Sequence, residues 1–189
     1  MSTMIYRDQF SYQRLYSRGK ILNVGSNTDG AGLAAMGAVN LDLRLVDHVT
    51  HEAMPVHVLA DGRVLPFSGA FDTVVLGEIL EHMEHAEAVL TLREALRALK
   101  PGGRVVITMP HDQRRDDGRL EAPAGDAQYY VRPQNGHGGI FAYHYRSIGW
   151  PELAGWIAEA GLTVQERSRI HYVWGEHGSG VVAIREQPC

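Results

Sequence analysis

The sequence is poor in the residues that several protein classes depend on. It holds one cysteine, Cys189, so no intrachain disulfide can form and a disulfide-stapled secreted scaffold is excluded. No apolar run approaches the roughly 18 residues that a membrane-spanning helix needs. Met1–Gln9 is polar and lacks the apolar core of a signal peptide. Lysine occurs only at Lys20 and Lys100, every other basic residue being arginine, and the formal net charge is −4. That balance argues against a protein driven onto nucleic acid by a broad basic face. Together these absences predict a cytoplasmic protein with neither a membrane nor a nucleic-acid partner.

What is present points to an ordinary globular chain. At 189 residues, 44% hydrophobic and 21% charged, the expected organisation is one domain over 1–189. Five short apolar runs, Ile21–Gly25, Val39–Leu43, Val56–Leu59, Phe71–Leu76 and Arg104–Met109, have the length and β-branched content of buried parallel strands. Between them lie helix-like stretches. Glu84–Leu99 puts Ala88, Leu92, Ala95, Leu96 and Leu99 on one face and is stopped by Pro101-Gly102-Gly103. Alternating strands and helices predict an α/β fold with a doubly wound, mostly parallel sheet.

Three regions depart from that rhythm. Residues 1–18, with Tyr6, Phe10, Tyr12, Leu15 and Tyr16, suit an amphipathic lead-in helix. Residues 111–149 are mostly a long stretch rich in Gly, Pro, Asp and Arg, of the kind that carries function in a compact domain. The tail reads as a helix from Trp150, then two β segments, Thr163–Trp174 and Gly180–Arg185, joined through Gly175–Ser179.

Four features carry chemistry. The first apolar run opens onto Gly25-Ser26-Asn27-Thr28-Asp29-Gly30-Ala31-Gly32. Glycines there serve either a close approach of backbone to ligand or a plain β–α connection. The spacing is neither G-x-G-x-x-G nor a P-loop. Asp42 follows Gly25 by 17 residues at the end of the second run, where a carboxylate can accept from two ribose hydroxyls or simply face solvent. Next come Leu59-Ala60-Asp61-Gly62-Arg63-Val64-Leu65-Pro66-Phe67, Phe71–Val75 and Leu80-Glu81-His82, and lastly Leu99-Lys100-Pro101-Gly102-Gly103.

In this order and spacing, over about residues 20–110, the set resembles the class I S-adenosylmethionine-dependent methyltransferases, in particular the type 11-like branch acting on small molecules. The resemblance implies a Rossmann-like seven-stranded sheet whose last strand is antiparallel, with S-adenosylmethionine across the carboxyl edge. It implies that Gly25 and Ser26 face the methionine part of the cofactor and that Gly30 shapes the turn. Asp42 would hold the ribose beside Leu43 at the adenine, and Asp61, with Gly62, would accept from the adenine amino group. Leu76, Gly77 and Glu78 would line the sulfonium end. Asn23 stands where the family usually has Asp or Glu; it can accept a hydrogen bond but brings no negative charge.

Methyl transfer is an in-line displacement that rests on proximity and water exclusion, with a general base needed for a hydroxyl or protonated amine. Histidine suits that role near neutral pH. His111, directly after the fifth run, is the first candidate, then His144 and His137; each could equally be an ordinary loop histidine. His111, Asp112, Asp116, Asp117, His137 and His144 show no tight metal-ligand spacing, and no metal is expected. The acceptor pocket of a small molecule is expected from the lead-in helix, from 111–149, or from a second subunit of a homodimer. The functions that fit are methyl transfer to oxygen or nitrogen, the same scaffold turned to non-methyl natural-product chemistry, and non-catalytic cofactor binding.

Overall fold

The computed structural model describes residues 7–26, 31–46, 51–110, 148–171 and 177–185. The strands are β1 (Arg7–Asp8), β2 (Ile21–Val24), β3 (Val39–Asp42), β4 (Val58–Leu59), β5 (Phe71–Gly77), β6 (Leu99–Pro110), β7 (Leu162–His171) and β8 (His177–Arg185). The helices are α1 (Gln9–Tyr16), α2 (Ala31–Ala34), α3 (His85–Ala98) and α4 (Trp150–Glu159), with a 3-10 turn at Leu80–His82.

All eight strands form one sheet in the order β1-β7-β8-β6-β5-β2-β3-β4. The last strand, β8, runs antiparallel to both neighbours, and every other pairing is parallel. The doubly wound sheet with its antiparallel last strand is therefore as the sequence predicts. The structure adds β1, whose Arg7 and Asp8 pair with Ile170 and His171 at the end of β7.

The runs are apolar throughout because both faces are covered. Successive residues alternate between two cores. Leu22, Val74, Val105, Leu92 and Trp156 pack on one face, under α3 and α4. Ile21, Val75, Val106, Val182 and Tyr12 pack on the other, under α1. His85 Nε2 and Glu159 Oε2, 2.8 Å apart, join α3 to α4.

Several boundaries differ from the sequence reading, each for a local reason. The third run shrinks to Val58–Leu59, because its neighbour His57 is occupied with Asn40: the Asn40 backbone N–H donates to His57 Nδ1 at 3.0 Å. β6 begins at Leu99, before the glycines, since Leu99 pairs with Phe71 ahead of an irregularity in the ladder. In α1 the buried face is Gln9, Tyr12 and Gln13, while Leu15 is 52% exposed. Asp8 caps this helix, accepting from the Ser11 N–H at 2.8 Å.

Candidate functional site

Parallel strands end on one edge, and β2, β3, β5 and β6 bring their carboxyl ends together there. The chain leaves β2 with Gly25 and Ser26 both donating backbone N–H groups to Leu41 O, at 2.9 and 3.2 Å, which folds the loop over β3. Gly25 has φ +70°, and a Cβ there would stand 2.2 Å from Ile79 Cγ2. Only glycine therefore allows the loop and the segment after β5 to meet this closely. The Ser26 hydroxyl is buried and has no hydrogen-bond partner among the described residues. It is the kind of orphaned polar atom that a bound polar ligand would satisfy.

On β3, Asp42 is 6% exposed and accepts from the Arg44 N–H at 3.1 Å, while the next residue, Leu43, is 41% exposed. A buried carboxylate thus stands beside an exposed apolar side chain at this edge. Asp61 and Gly62 follow β4. Gly62 sits tight against β2, since a Cβ there would come within 2.9 Å of Val24 Cγ1. The Asp61 carboxylate is gripped by Arg63, which donates through Nε at 3.0 Å to each oxygen and through Nη2 to Oδ2 at 2.7 Å. These bonds hold its carboxyl below the usual carboxylate range. Arg63 in turn pairs with Glu87 of α3.

Asn23 is buried and turns sideways: its Nδ2 donates to Asn40 Oδ1 at 3.2 Å, and Asn40 Nδ2 donates to Pro55 O at 2.8 Å. The two asparagines are paired across β2 and β3. Neither Asn40 nor Pro55 was singled out by the sequence; two asparagines 17 residues apart on neighbouring strand centres were the available signal.

At the end of β5, Leu76 is fully buried in the core under α3, and Gly77 lies beneath the Gln13 side chain of α1. Glu78 adopts φ +55°, an uncommon backbone conformation for a residue with a side chain. Its N–H donates to Thr108 O at 2.8 Å. Thr108 is thus a hub, since its Oγ1 also accepts from Gln13 Nε2 at 2.7 Å.

Glu81, in the 3-10 turn just beyond, is buried, and neither carboxylate oxygen has a hydrogen-bond partner among the described residues. Burial, reinforced by the nearby Glu78, pushes its carboxyl well above the ordinary glutamate range. The sequence reading passed over Gln13 and Thr108, because nothing in one strand or helix alone shows that they meet, and it took Glu81 only as part of the Leu80-Glu81-His82 pattern.

Gly30, His111, His137 and His144 lie outside the described residues, as do Asp112, Asp116 and Asp117. Among the described residues, no group of three or more His, Cys, Asp or Glu side chains is arranged to hold a metal ion, and no helix is long and apolar enough to cross a membrane.

Residues 24–107 match the family model of the methyltransferase domain. A ubiquinone biosynthesis O-methyltransferase from Acinetobacter baumannii is 29% identical over 145 residues, covering 76% of this chain and 55% of that protein. The chain thus spans about half the length of that curated relative. A SAM-dependent methyltransferase from Methanosarcina mazei superposes with a TM-score of 0.67 at 14% identity, covering 96% of this chain and 100% of that one. The O-methyltransferase NcsB1 from neocarzinostatin biosynthesis, in complex with S-adenosyl-L-homocysteine and 1,4-dihydroxy-2-naphthoic acid, gives 0.59 at 20% identity, covering 89% and 49%.

Proposed function

We propose that this chain, which belongs to the class I S-adenosylmethionine-dependent methyltransferases, transfers a methyl group to oxygen or nitrogen of a small-molecule acceptor. The observation that carries the reading is the convergence at one sheet edge of the Gly25 turn, the buried Asp42 beside exposed Leu43, and the Asp61–Gly62 corner. The likeness to a ubiquinone biosynthesis O-methyltransferase supports oxygen as the acceptor atom.

The residues present fit the cofactor. Gly25 and the orphaned Ser26 hydroxyl suit its amino-acid end, and Asn23 lies beneath them in β2. The buried Asp42 would accept from two ribose hydroxyls, with the exposed Leu43 against the adenine. The Arg63 backbone N–H and guanidinium already reach both Asp61 oxygens, so the adenine amino group would share or displace one of those bonds, while Gly62 keeps that corner close to β2. Gly77 and Glu78, with the backbone of the core residue Leu76, would hold the sulfonium end at the end of β5. When bound, the cofactor supplies an electrophilic methyl group on a positively charged sulfur.

The protein's own contribution is orientation and dryness. α1 covers the ends of β5 and β6 through the Gln13–Thr108 bond, which shields that edge from water. An acceptor hydroxyl would give up its proton to a base on the protein. His111 is the base favoured by its position directly after β6, with His144 and His137 as the others in the segment 111–149, which would cover the acceptor.

Calorimetry with S-adenosylmethionine and S-adenosylhomocysteine, followed by transfer of labelled methyl to a panel of phenols, sugars and amines, tests the reading. Binding of both and methylation of at least one acceptor class is the expected result. Binding without any transfer would favour non-methyl chemistry on the same scaffold, and no binding would sink both.

A further inference from the structure

The edge described above leaves the acceptor unnamed, and α1 carries a feature that cofactor binding does not use. Gln9 and Gln13 stand one turn apart on its buried face. Gln13 anchors one end over Gly77 through its bond to Thr108. Gln9 lies at the other end, next to Asp8, which pairs with His171 at the carboxyl end of β7. The two residues thus lie on a helix flanked by the carboxyl ends of β7 and of β5 and β6, the edge on which the methyl group would be presented.

Gln9 is fully buried, and neither its Oε1 nor its Nε2 has a hydrogen-bond partner among the described residues. A buried amide left unpaired bears its whole desolvation cost, and leucine would serve the helix as well without it. An unpaired, fully buried amide at a ligand-binding edge points to a polar partner.

We propose that Gln9, backed by Gln13, recognises the methyl acceptor, and that it takes a neutral edge that donates and accepts at adjacent atoms, as in a lactam or other cis-amide. This inference rests on reading the edge as a methyl-transfer site. A carboxamide offers an acceptor oxygen and a donor nitrogen side by side, and a cis-amide returns the complementary pair in two hydrogen bonds. A carboxylate would set its negative charge against Oε1, and an apolar acceptor would leave both amide atoms bare. To admit the ligand, α1 moves outward from the edge. Its described polar tethers include the β1 ladder, the Gln13–Thr108 bond and a hydrogen bond from the Tyr16 hydroxyl to Glu166.

The test uses the full chain, labelled with nitrogen-15 and saturated with S-adenosylhomocysteine. The minimal cis-amide 2-pyridone is titrated in, with benzoate as its anionic counterpart. The Gln9 side-chain amide signal is assigned by its loss in Gln9→Leu. The expected result is a saturable shift of that signal with 2-pyridone and none with benzoate. Gln9→Leu should bind 2-pyridone at least about ten-fold more weakly, with S-adenosylhomocysteine affinity unchanged and a melting temperature no lower than wild type. An unmoved Gln9 signal, an equal response to benzoate, or undiminished 2-pyridone binding by Gln9→Leu overturns the proposal. Failure of S-adenosylhomocysteine to bind would overturn the methyl-transfer reading and this inference with it; its binding without a Gln9 response overturns this inference alone.

Discussion

Gln13 Nε2 donates to Thr108 Oγ1 across 2.7 Å, and the bond passes directly over Gly77. It ties the lead-in helix to the ends of β5 and β6, joining residues 95 apart in sequence. Gly77 has to be bare for the bond to form, since a Cβ there would stand 2.6 Å from Nε2.

Gly77→Ala should therefore displace the amide rather than the strand, because the obstructing atom is the far end of a flexible side chain. The lost hydrogen bond should lower stability by about 0.5–1.5 kcal/mol. Urea unfolding measures this, and Gln13→Leu should approach the same loss without touching β5. If Gly77→Ala instead unfolded the protein, the strand rather than the amide would be the constrained partner.

Gly25→Ala meets backbone strain and steric conflict together. Its φ of +70° disfavours any side chain, and the new methyl would collide with Ile79 Cγ2 at 2.2 Å. The expected cost is about 1–3 kcal/mol of stability, with loss of cofactor affinity as the loop shifts. Thermal unfolding and calorimetry on the same sample check both parts.

Asn23→Asp restores the acidic residue typical of the family but breaks the local pairing. The new carboxylate would face Asn40 Oδ1, and turning the Asn40 amide to meet it would give up the bond to Pro55 O. A loss of about 1–3 kcal/mol near neutral pH is expected by chemical denaturation. A variant as stable as wild type would show that the asparagine pair contributes little.

Glu81 makes stability depend on pH. Burial keeps its folded-state carboxyl protonated well above the ordinary range, whereas in the unfolded chain it ionises normally, near the ordinary value of 4.5. Its stabilisation is thus complete below that value and is lost as pH rises toward the folded-state value. The loss is up to about 1.4 kcal/mol per pH unit. Glu81→Gln cannot ionise, so its advantage over wild type should grow as pH rises above 4.5, until Glu81 ionises in the folded state. Parallel stability curves for the two proteins would contradict the assignment.

The central strands were legible because a sheet covered on both faces writes continuous apolar runs, and Val74-Val75 and Val105-Val106 fall alternately into the two cores. The lead-in helix was legible as an element but not as a surface. Its aromatic and leucine residues suggested an apolar stripe, yet the helix turns Gln9 and Gln13 inward and leaves Leu15 out. That choice is made by Thr108 and Gly77, which are distant in sequence. Likewise Asp42 and Asp61 could be named from spacing, while the Arg63 grip on Asp61 and the Asn23–Asn40 pairing depend on neighbours that only folding supplies. Glu81 was visible as part of a family pattern, but its burial was not, because a glutamate three residues before a helix cap ordinarily faces water.

Calorimetric titration of wild type and Asp42→Ala with S-adenosylmethionine tests the central claim most directly. The account predicts saturable one-to-one binding by wild type and affinity weaker by about 1–3 kcal/mol in Asp42→Ala, with both proteins folded. No binding by wild type, or equal binding by the two, would contradict it.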